Sequence, residues 1–488
     1  MWIDVTFVSW SVRHDAGGKA RSSVPARSCL RRHEVTRLRE CAGMGVNRTL
    51  GFAGSVAIAL GGVSAGALPQ HDPFGHWPLI RELRTFPLAG VACTYFGLAL
   101  LCGAWLRMRP TVDGQRPADL VRTMLCWAAP LALTAPMFSR DVYSYLAQGE
   151  MVRRGLDAYR WGPSSLGGPL ALNVPAIWQD TPAPYGPVFL RCASAILAVT
   201  GEHTIAGVWA MRLVALTGVA LVVACLPGLA ARFGVPAQRA LWFGALNPLL
   251  LLHLVAGAHN DALMVGLLAA GLLAAVRDRP LLAAALIVAA ALVKAPAILA
   301  LITVVALSRG RTLALIRTAV GAALAFVALQ AASGLGLGWI AALHTPTTVR
   351  NGLSLSTDIG MLLAEAGHPS AMAVIRLAAA ALGCALAGWA LLRAPNPAAG
   401  LGLALGAIVL CGPVVHPWYL LWPIVPIAAG MQHPPPAAIR LTVGVAMFLL
   451  PFGAPGYPEA VVAAIFGTVA GVLYLRLRPP VPALVPAT

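Results

Sequence analysis

The sequence predicts an all-α protein that crosses a membrane many times, on three observations. Of its 488 residues, 58% are hydrophobic and only 11% are charged, where a soluble domain carries about 25% charged residues. The apolar residues fall in repeated runs of roughly 20, the length that crosses a bilayer core. The arginines gather in short loops between runs, as expected of cytoplasmic loops. The net charge of +17 is thereby explained by topology, and no nucleic-acid partner is expected. The nine cysteines are scattered, mostly inside apolar runs and without a CxxC pair. They read as small core residues, not as disulfides or metal ligands.

Residues 1–43 are polar and Arg-rich, with no apolar period and no signal-peptide core. Met44-Gly45-Val46 leads straight into the first run, so the expectation is a disordered cytoplasmic tail or a biological start at Met44. Runs follow at about 50–68, 87–106 and 120–138. With the N-terminus inside, the basic loop 107–122 is cytoplasmic and the chain emerges outside after residue 138.

Residues 139–186 form the longest polar segment, and connections of that length are uncommon unless functional. Its opening, Phe138-Ser139-Arg140-Asp141-Val142-Tyr143-Ser144-Tyr145, reads as a short helix lying at the interface. Irregular backbone stiffened by prolines follows, closing at Pro184-Tyr185-Gly186-Pro187. Residues 187–200 are apolar but too short to cross, which suggests a re-entrant or interfacial helix.

Further runs are expected at about 205–229, 240–256 and 261–276. The next, 281–307, is interrupted by Val293-Lys294-Ala295-Pro296. One continuous helix there would put Arg309 and Arg311 outside, so two half-depth helices meeting at Lys294 are expected. Runs at about 313–333, 371–392, 399–415, 417–430, 438–453 and 459–476 complete about 13–14 crossings. The transmembrane domain is then 44–478, followed by a cytoplasmic tail, 479–488. No matched pair of interrupted helices, as in many secondary transporters, is evident.

Ionisable residues at membrane depth are costly and point to function. Asp141 is the first candidate, and the alternative is a helix-end ion pair with Arg140. Neighbouring helical positions point about 100° apart, which argues against a shared contact. Arg140 is left between a phosphate contact and an interface anchor. Lys294 is one of only two lysines among 35 basic residues. At the tip of a broken helix pair its ammonium suits a lipid phosphate, the alternative being a snorkelling side chain.

His259-Asn260-Asp261 reads either as a substrate contact or as an interhelical hydrogen-bond cluster, and it lacks the further ligands a metal would need. His416 is a candidate polar contact, whereas Trp418 and Tyr419 read as aromatic-belt residues. Tyr143, Tyr145, Gln148 and Tyr185 could hydrogen-bond a sugar, as could Asp157 and Tyr159 if their turn is more than a cap. His344, Arg350 and Asn351 in a late outer loop could take an acceptor sugar. No P-loop, nucleophile elbow, zinc-protease or dinucleotide motif is present. No soluble segment is long enough for a nucleotide-sugar domain, so an activated donor would be bound within or beside the membrane.

The stretches Ser139–Gly149, Gly155-Leu156-Asp157-Ala158-Tyr159, Tyr185-Gly186-Pro187, His259-Asn260-Asp261, Leu292-Val293-Lys294-Ala295-Pro296 and His416-Pro417-Trp418-Tyr419 resemble the cell-envelope α-(1→6)-mannopyranosyltransferases. The resemblance covers the chain from about Met44 to the last run. It implies the GT-C glycosyltransferase fold, with short interfacial helices in a large first extracytoplasmic loop and Asp141 as the acidic catalytic residue there. It also implies polyprenyl-phosphate-mannose as donor, with Lys294 and Arg140 at its phosphate. The acceptor it implies is a mannose 6-hydroxyl of a lipid-anchored mannan, with inversion expected at the anomeric carbon and the remaining polar candidates expected to bind substrate.

Many GT-C relatives pair two acidic residues where this chain has Arg140-Asp141, which favours a metal-independent site without a cofactor. The location implied is the cell membrane, with the site on the extracytoplasmic face and both termini cytoplasmic. The alternatives are a polyprenyl-phosphate-arabinose-dependent arabinofuranosyltransferase of the same fold, or a lipid or sugar transporter without covalent chemistry.

Overall fold

The computed structural model describes residues 26–350, 353–451 and 457–477, with side chains from residue 45 onward. Residues 1–25 and 479–488, parts of the two expected tails, lie outside that set, as does Asn351. Among the described residues every regular element is helical. Six helices are long and apolar enough to cross a membrane: Gly45–Ala65, Pro87–Gly114, Thr204–Arg232, Arg311–Ser333, Ala371–Arg393 and Tyr457–Leu477. A seventh crossing is counted if the bent pair Ala237–Ala245 and Leu250–Ala256 is one span. The chain is a polytopic membrane protein.

The other apolar runs fold as shorter helices, because prolines punctuate them. Pro187, Pro280, Pro397 and Pro436 each start a helix, where a missing N–H costs nothing. The 14-residue helix Pro187–Thr200 is about 21 Å long at 1.5 Å per residue, short of the roughly 30 Å hydrocarbon core.

Two interruptions shape the centre of the bundle. The first lies at Asn247-Pro248, where the flanking π-helical turns meet at 62°. The Asn247 side chain satisfies the break in both directions, donating to Phe243 O at 3.1 Å and accepting from Leu249 N at 2.9 Å. The second is at Lys294, between Pro280–Ala291 and the 3₁₀ turn Ala295–Leu299. There the backbone is extended, with φ −152° and ψ 120°, as expected before Ala295-Pro296. The interruption read from the sequence is thus present at the expected residue.

The helix that opens the long polar segment, Asp141–Arg153, differs from a surface-lying helix. All residues from Val142 to Val152 are buried. It packs against Pro187–Thr200 so closely that a Cβ on Gly149 would stand 2.7 Å from the Ala193 carbonyl carbon. Tyr145, Tyr185 and Phe189 interlock edge to face at 4.9–5.5 Å across this contact. Its far end is fixed by Glu150, which is fully buried and accepts from Arg153 and Arg154 at 2.6 Å.

Candidate active site

Asp141 begins its helix, and its backbone N–H donates to Ser139 Oγ at 3.0 Å. The chain arrives through Phe138 at φ +61°, left-handed backbone that a phenylalanine rarely adopts. A second such residue, Ala258 at φ +54°, precedes His259. Non-glycine residues in this region persist only where the surroundings over-determine them. Here the two turns present the two acidic segments to each other.

Two cavities meet at Asp141. The first, about 440 Å³, is lined by Asp141, Tyr185, Lys294, His416, Tyr419 and Trp422 against apolar walls that include Ile298, Leu343 and Ile408. The second, about 460 Å³, is lined by Ser139, Arg140, Arg350, Phe448 and Tyr457. Asp141, Trp178, Val349, His416 and Trp418 line both, so they form the partition. The Asp141 side chain is 16% exposed there.

Lys294 lines the first cavity but is not unpaired. Its ammonium donates to both carboxylate oxygens of Asp261, at 3.0 and 2.8 Å. Trp422 Nε1 adds a third hydrogen bond to Asp261, at 2.6 Å. The same ammonium stands 4.5 Å from the Tyr419 ring centre, 5.4 Å from Trp422 and 5.8 Å from Tyr185. Three aromatic faces and one carboxylate therefore hold the charge in place.

His259, Asn260 and Asp261 are at most 2% exposed and form the layer behind the cavities. His259 Nδ1 lies 3.5 Å from Asp141 Oδ2 and 3.4 Å from the Tyr145 hydroxyl, which is also 3.4 Å from Asn260 Oδ1. Trp418 is sandwiched between two imidazoles, 3.8 Å from His259 and 4.5 Å from His416. The reading of Trp418 and Tyr419 as aromatic-belt residues therefore gives way to a buried Trp418 and a half-buried Tyr419 at the site. Their signal was the run His416-Pro417-Trp418-Tyr419-Leu420-Leu421-Trp422, three aromatics within six residues of a candidate histidine.

Several expected contacts lie elsewhere. The Arg140 guanidinium donates to Leu68 O at 2.9 Å and to Asn173 O at 3.1 and 3.2 Å. It braces the loop while lining the second cavity. Tyr143 points to the opposite side, its hydroxyl on Ala67 O at 2.6 Å. Gln148 is 2% exposed within the helix packing. Asp157 caps its turn by accepting from Tyr159 N at 2.9 Å, and Tyr159 packs against Gly338. Of the late-loop candidates, Arg350 reaches the second cavity, whereas His344 bonds back to Ala341 O of the preceding helix.

Burial pushes the Asp141 carboxyl up to about 6, partly offset by the Lys294 charge and the Ser139 hydrogen bond. Burial lowers His416 to about 3, so that imidazole is neutral. The site thus offers one carboxylate poised to take a proton, beside one fixed ammonium. Among the described residues no group of three His, Cys, Asp or Glu is placed to hold a metal.

The family described as α-(1→6)-mannopyranosyltransferase, N-terminal domain, matches residues 48–310. The MptB C-terminal domain matches residues 348–478. A probable α-(1→6)-mannopyranosyltransferase of Mycolicibacterium smegmatis is 38% identical, covering 83% of each chain. One of Mycobacterium tuberculosis is 36% identical, covering 90% of this chain and 86% of its own. The α-(1→6)-mannopyranosyltransferase B of Corynebacterium glutamicum is 34% identical, over 88% and 81%. No solved structure matches the chain.

Proposed function

Because the chain belongs to the α-(1→6)-mannopyranosyltransferase family, and so carries out mannosyl transfer that forms α-1,6 linkages, we propose a specific donor, acceptor and catalytic base for that transfer. The donor is polyprenyl-phosphate-mannose, bound in the cavity that carries Lys294. The acceptor is a mannose 6-hydroxyl of a lipid-anchored mannan, entering through the adjoining cavity. The reaction inverts the β-linked mannosyl phosphate to an α-mannoside in one displacement. The observation that carries this reading is the position of Asp141 in the partition between the two cavities.

The first cavity suits a lipid phosphate. Its walls are mostly apolar and its cation is fixed by Asp261 and three rings. The second brings Arg350, Trp178 and Tyr457 around Asp141, polar donors and aromatic faces of the kind that hold a hexose. Asp141 takes the proton of the 6-hydroxyl as that oxygen bonds to C1 of the donor mannose. The bond from C1 to the phosphate oxygen breaks, and its electron pair leaves with polyprenyl phosphate. Lys294 stabilises the charge that develops there.

The remaining polar residues divide by position. Tyr185 and His416 contact substrate directly. Tyr145, His259, Asn260 and Asp261 stand behind and orient Asp141 and Lys294. Arg140 holds the loop that carries Asp141. The site faces the extracytoplasmic side of the cell membrane, with both termini in the cytoplasm, following the arginine distribution.

The test is a membrane assay offering polyprenyl-phosphate-mannose and polyprenyl-phosphate-arabinose side by side to a synthetic α-1,6-dimannoside. Mannose transfer lost in Asp141→Asn supports the reading. Arabinose transfer from the wild type, or undiminished mannose transfer by Asp141→Asn, overturns it.

A further inference from the structure

A separate cavity of about 460 Å³ lies beside the helix Asp141–Arg153, lined on that side by Tyr143 and not by Asp141. Two helical positions apart, the two side chains point about 200° from each other. The cavity therefore lies behind the helix as seen from the two chambers at Asp141. Its other walls come from the first apolar helix, from Pro117–Leu133 and from Thr204–Arg232.

This cavity is polar at one end and apolar along its length. Asp72 and Arg84, an ion pair, line it at the loop that follows the first apolar helix. From there it runs down that helix past Val63, Leu60 and Val56, about 10 Å at 1.5 Å per residue. Leu60, Leu133 and Trp209 line it and are 58%, 71% and 38% exposed. It is thus open sideways on the apolar flank of the bundle.

The third charged group is Arg212, which sits inside an apolar helix and is 1% exposed. Its guanidinium donates to Ala132 O at 3.0 Å and Ala256 O at 2.9 Å, each in the last turn of a helix. Carbonyls there have no intrahelical partner and carry partial negative charge. Yet Nε–H is buried without an acceptor, and Arg212 is in no ion pair among the described residues. Two guanidiniums against one carboxylate leave the lining with one net positive charge. An uncompensated charge among hydrocarbon walls is costly.

We propose that this cavity binds one membrane lipid with an anionic phosphodiester head group. Its chain lies along Val56 and Leu60, and its phosphate meets the positive end formed by Arg84 and Arg212. A head group of net charge −1 neutralises the lining, whereas a zwitterionic one leaves it charged. The polar end lies at the same loop-side end of the bundle as Asp141, so the lipid belongs to the leaflet on that side. Through Tyr143 it abuts the helix that begins at Asp141, without entering the reaction.

The experiment uses the full chain in nanodiscs of equal phosphatidylglycerol and phosphatidylcholine, extracted stepwise and weighed by native mass spectrometry. The wild type is expected to retain one phosphatidylglycerol, preferred about tenfold over phosphatidylcholine, the factor that one charge-assisted hydrogen bond supplies. Ala59→Trp, which fills the cavity from a half-buried wall position, and Arg84→Gln each lose it, and added inorganic phosphate does not displace it. Two variants guard against one failing to fold, with helicity by circular dichroism as the check. Equal retention of the two lipids, a phosphatidylglycerol that persists in both folded variants, or displacement by inorganic phosphate overturns the proposal.

Discussion

Lys294 Nζ reaches both carboxylate oxygens of Asp261, at 2.8 and 3.0 Å, across two breaks in the helical bundle. Asp261 is the first residue of one helix, and Lys294 is the extended residue between two others. The pair is nearly or fully buried, with side-chain exposures of 10% and 0%. Neither charge would be tolerated alone at that depth.

Asp261→Leu is therefore expected to destabilise the folded protein by about 3 kcal/mol, because breaking one side of a buried pair strands the other charge. Lys294→Met should do the same. The double variant Asp261→Leu with Lys294→Met should recover most of that loss and still fail to transfer mannose. Thermal unfolding of the four proteins in detergent closes the cycle. Single variants as stable as the wild type would remove the pair from the account.

Asp141→Asn addresses catalysis with little change of shape. Loss of a general base costs about 10²- to 10⁴-fold in rate, and a neutral amide is no harder to bury than the carboxylate. Transfer should fall by that factor while the unfolding temperature stays the same or rises. Initial rates with a synthetic dimannoside, beside a melting curve, read both at once. Transfer reduced less than tenfold would sink the role of Asp141 as base.

The elevated Asp141 value sets a pH dependence. A base works deprotonated, so kcat/KM should fall tenfold per pH unit below about 6. Stability has the opposite sense. The carboxyl holds its proton more tightly folded, near 6, than at its ordinary 3.8, so the folded state binds more protons between those values. Asp141's contribution to stability is fully present below about 3.8 and is lost as pH rises through about 6. Comparing rates and melting curves of wild type and Asp141→Asn from pH 5 to 8 isolates both. An acid limb retained by Asp141→Asn's residual activity would assign it to another group.

Much of this arrangement was legible because hydrophobicity and proline act locally. The apolar runs, the break at Lys294 and the short helix opening at Asp141 follow from composition and from Pro296. What tertiary packing decides was not legible. Tyr143, Ser144 and Gln148 look like a polar helix face, yet all are buried. Tyr143 is paid for by a backbone acceptor, Ala67 O, that no local pattern marks. The cluster at His259–Asp261 lies behind the cavities because Ala258 turns the chain with positive φ. Arg212 did carry a signal, one charge inside an apolar run, but its two carbonyl partners come from distant helices.

Gly186 tests another non-local contact. The segment Tyr185-Gly186-Pro187 runs beside the break at Lys294, with Gly186 N donating to Val293 O at 3.2 Å and Val188 N to Leu292 O at 3.1 Å. The backbone angles of Gly186, φ −69° and ψ 162°, suit any residue, so its need for glycine is spatial. A Cβ there would stand 2.1 Å from Leu292 O, backbone that cannot rotate away. Gly186→Ala must push the two strands of chain apart and move Tyr185 from Lys294. Overpacking of this kind costs about 1–3 kcal/mol, and misplacing the cation should raise the KM for the proposed lipid-phosphate donor along with it. Gly388→Ala is the control, since a Cβ on that helical glycine meets nothing within 4 Å and alanine favours a helix over glycine. Gly186→Ala should lower the unfolding temperature and raise the donor KM, whereas Gly388→Ala should leave KM unchanged and the unfolding temperature unchanged or higher. A Gly186→Ala enzyme with wild-type values would show that the contact between these two segments is not what sets Lys294 in place.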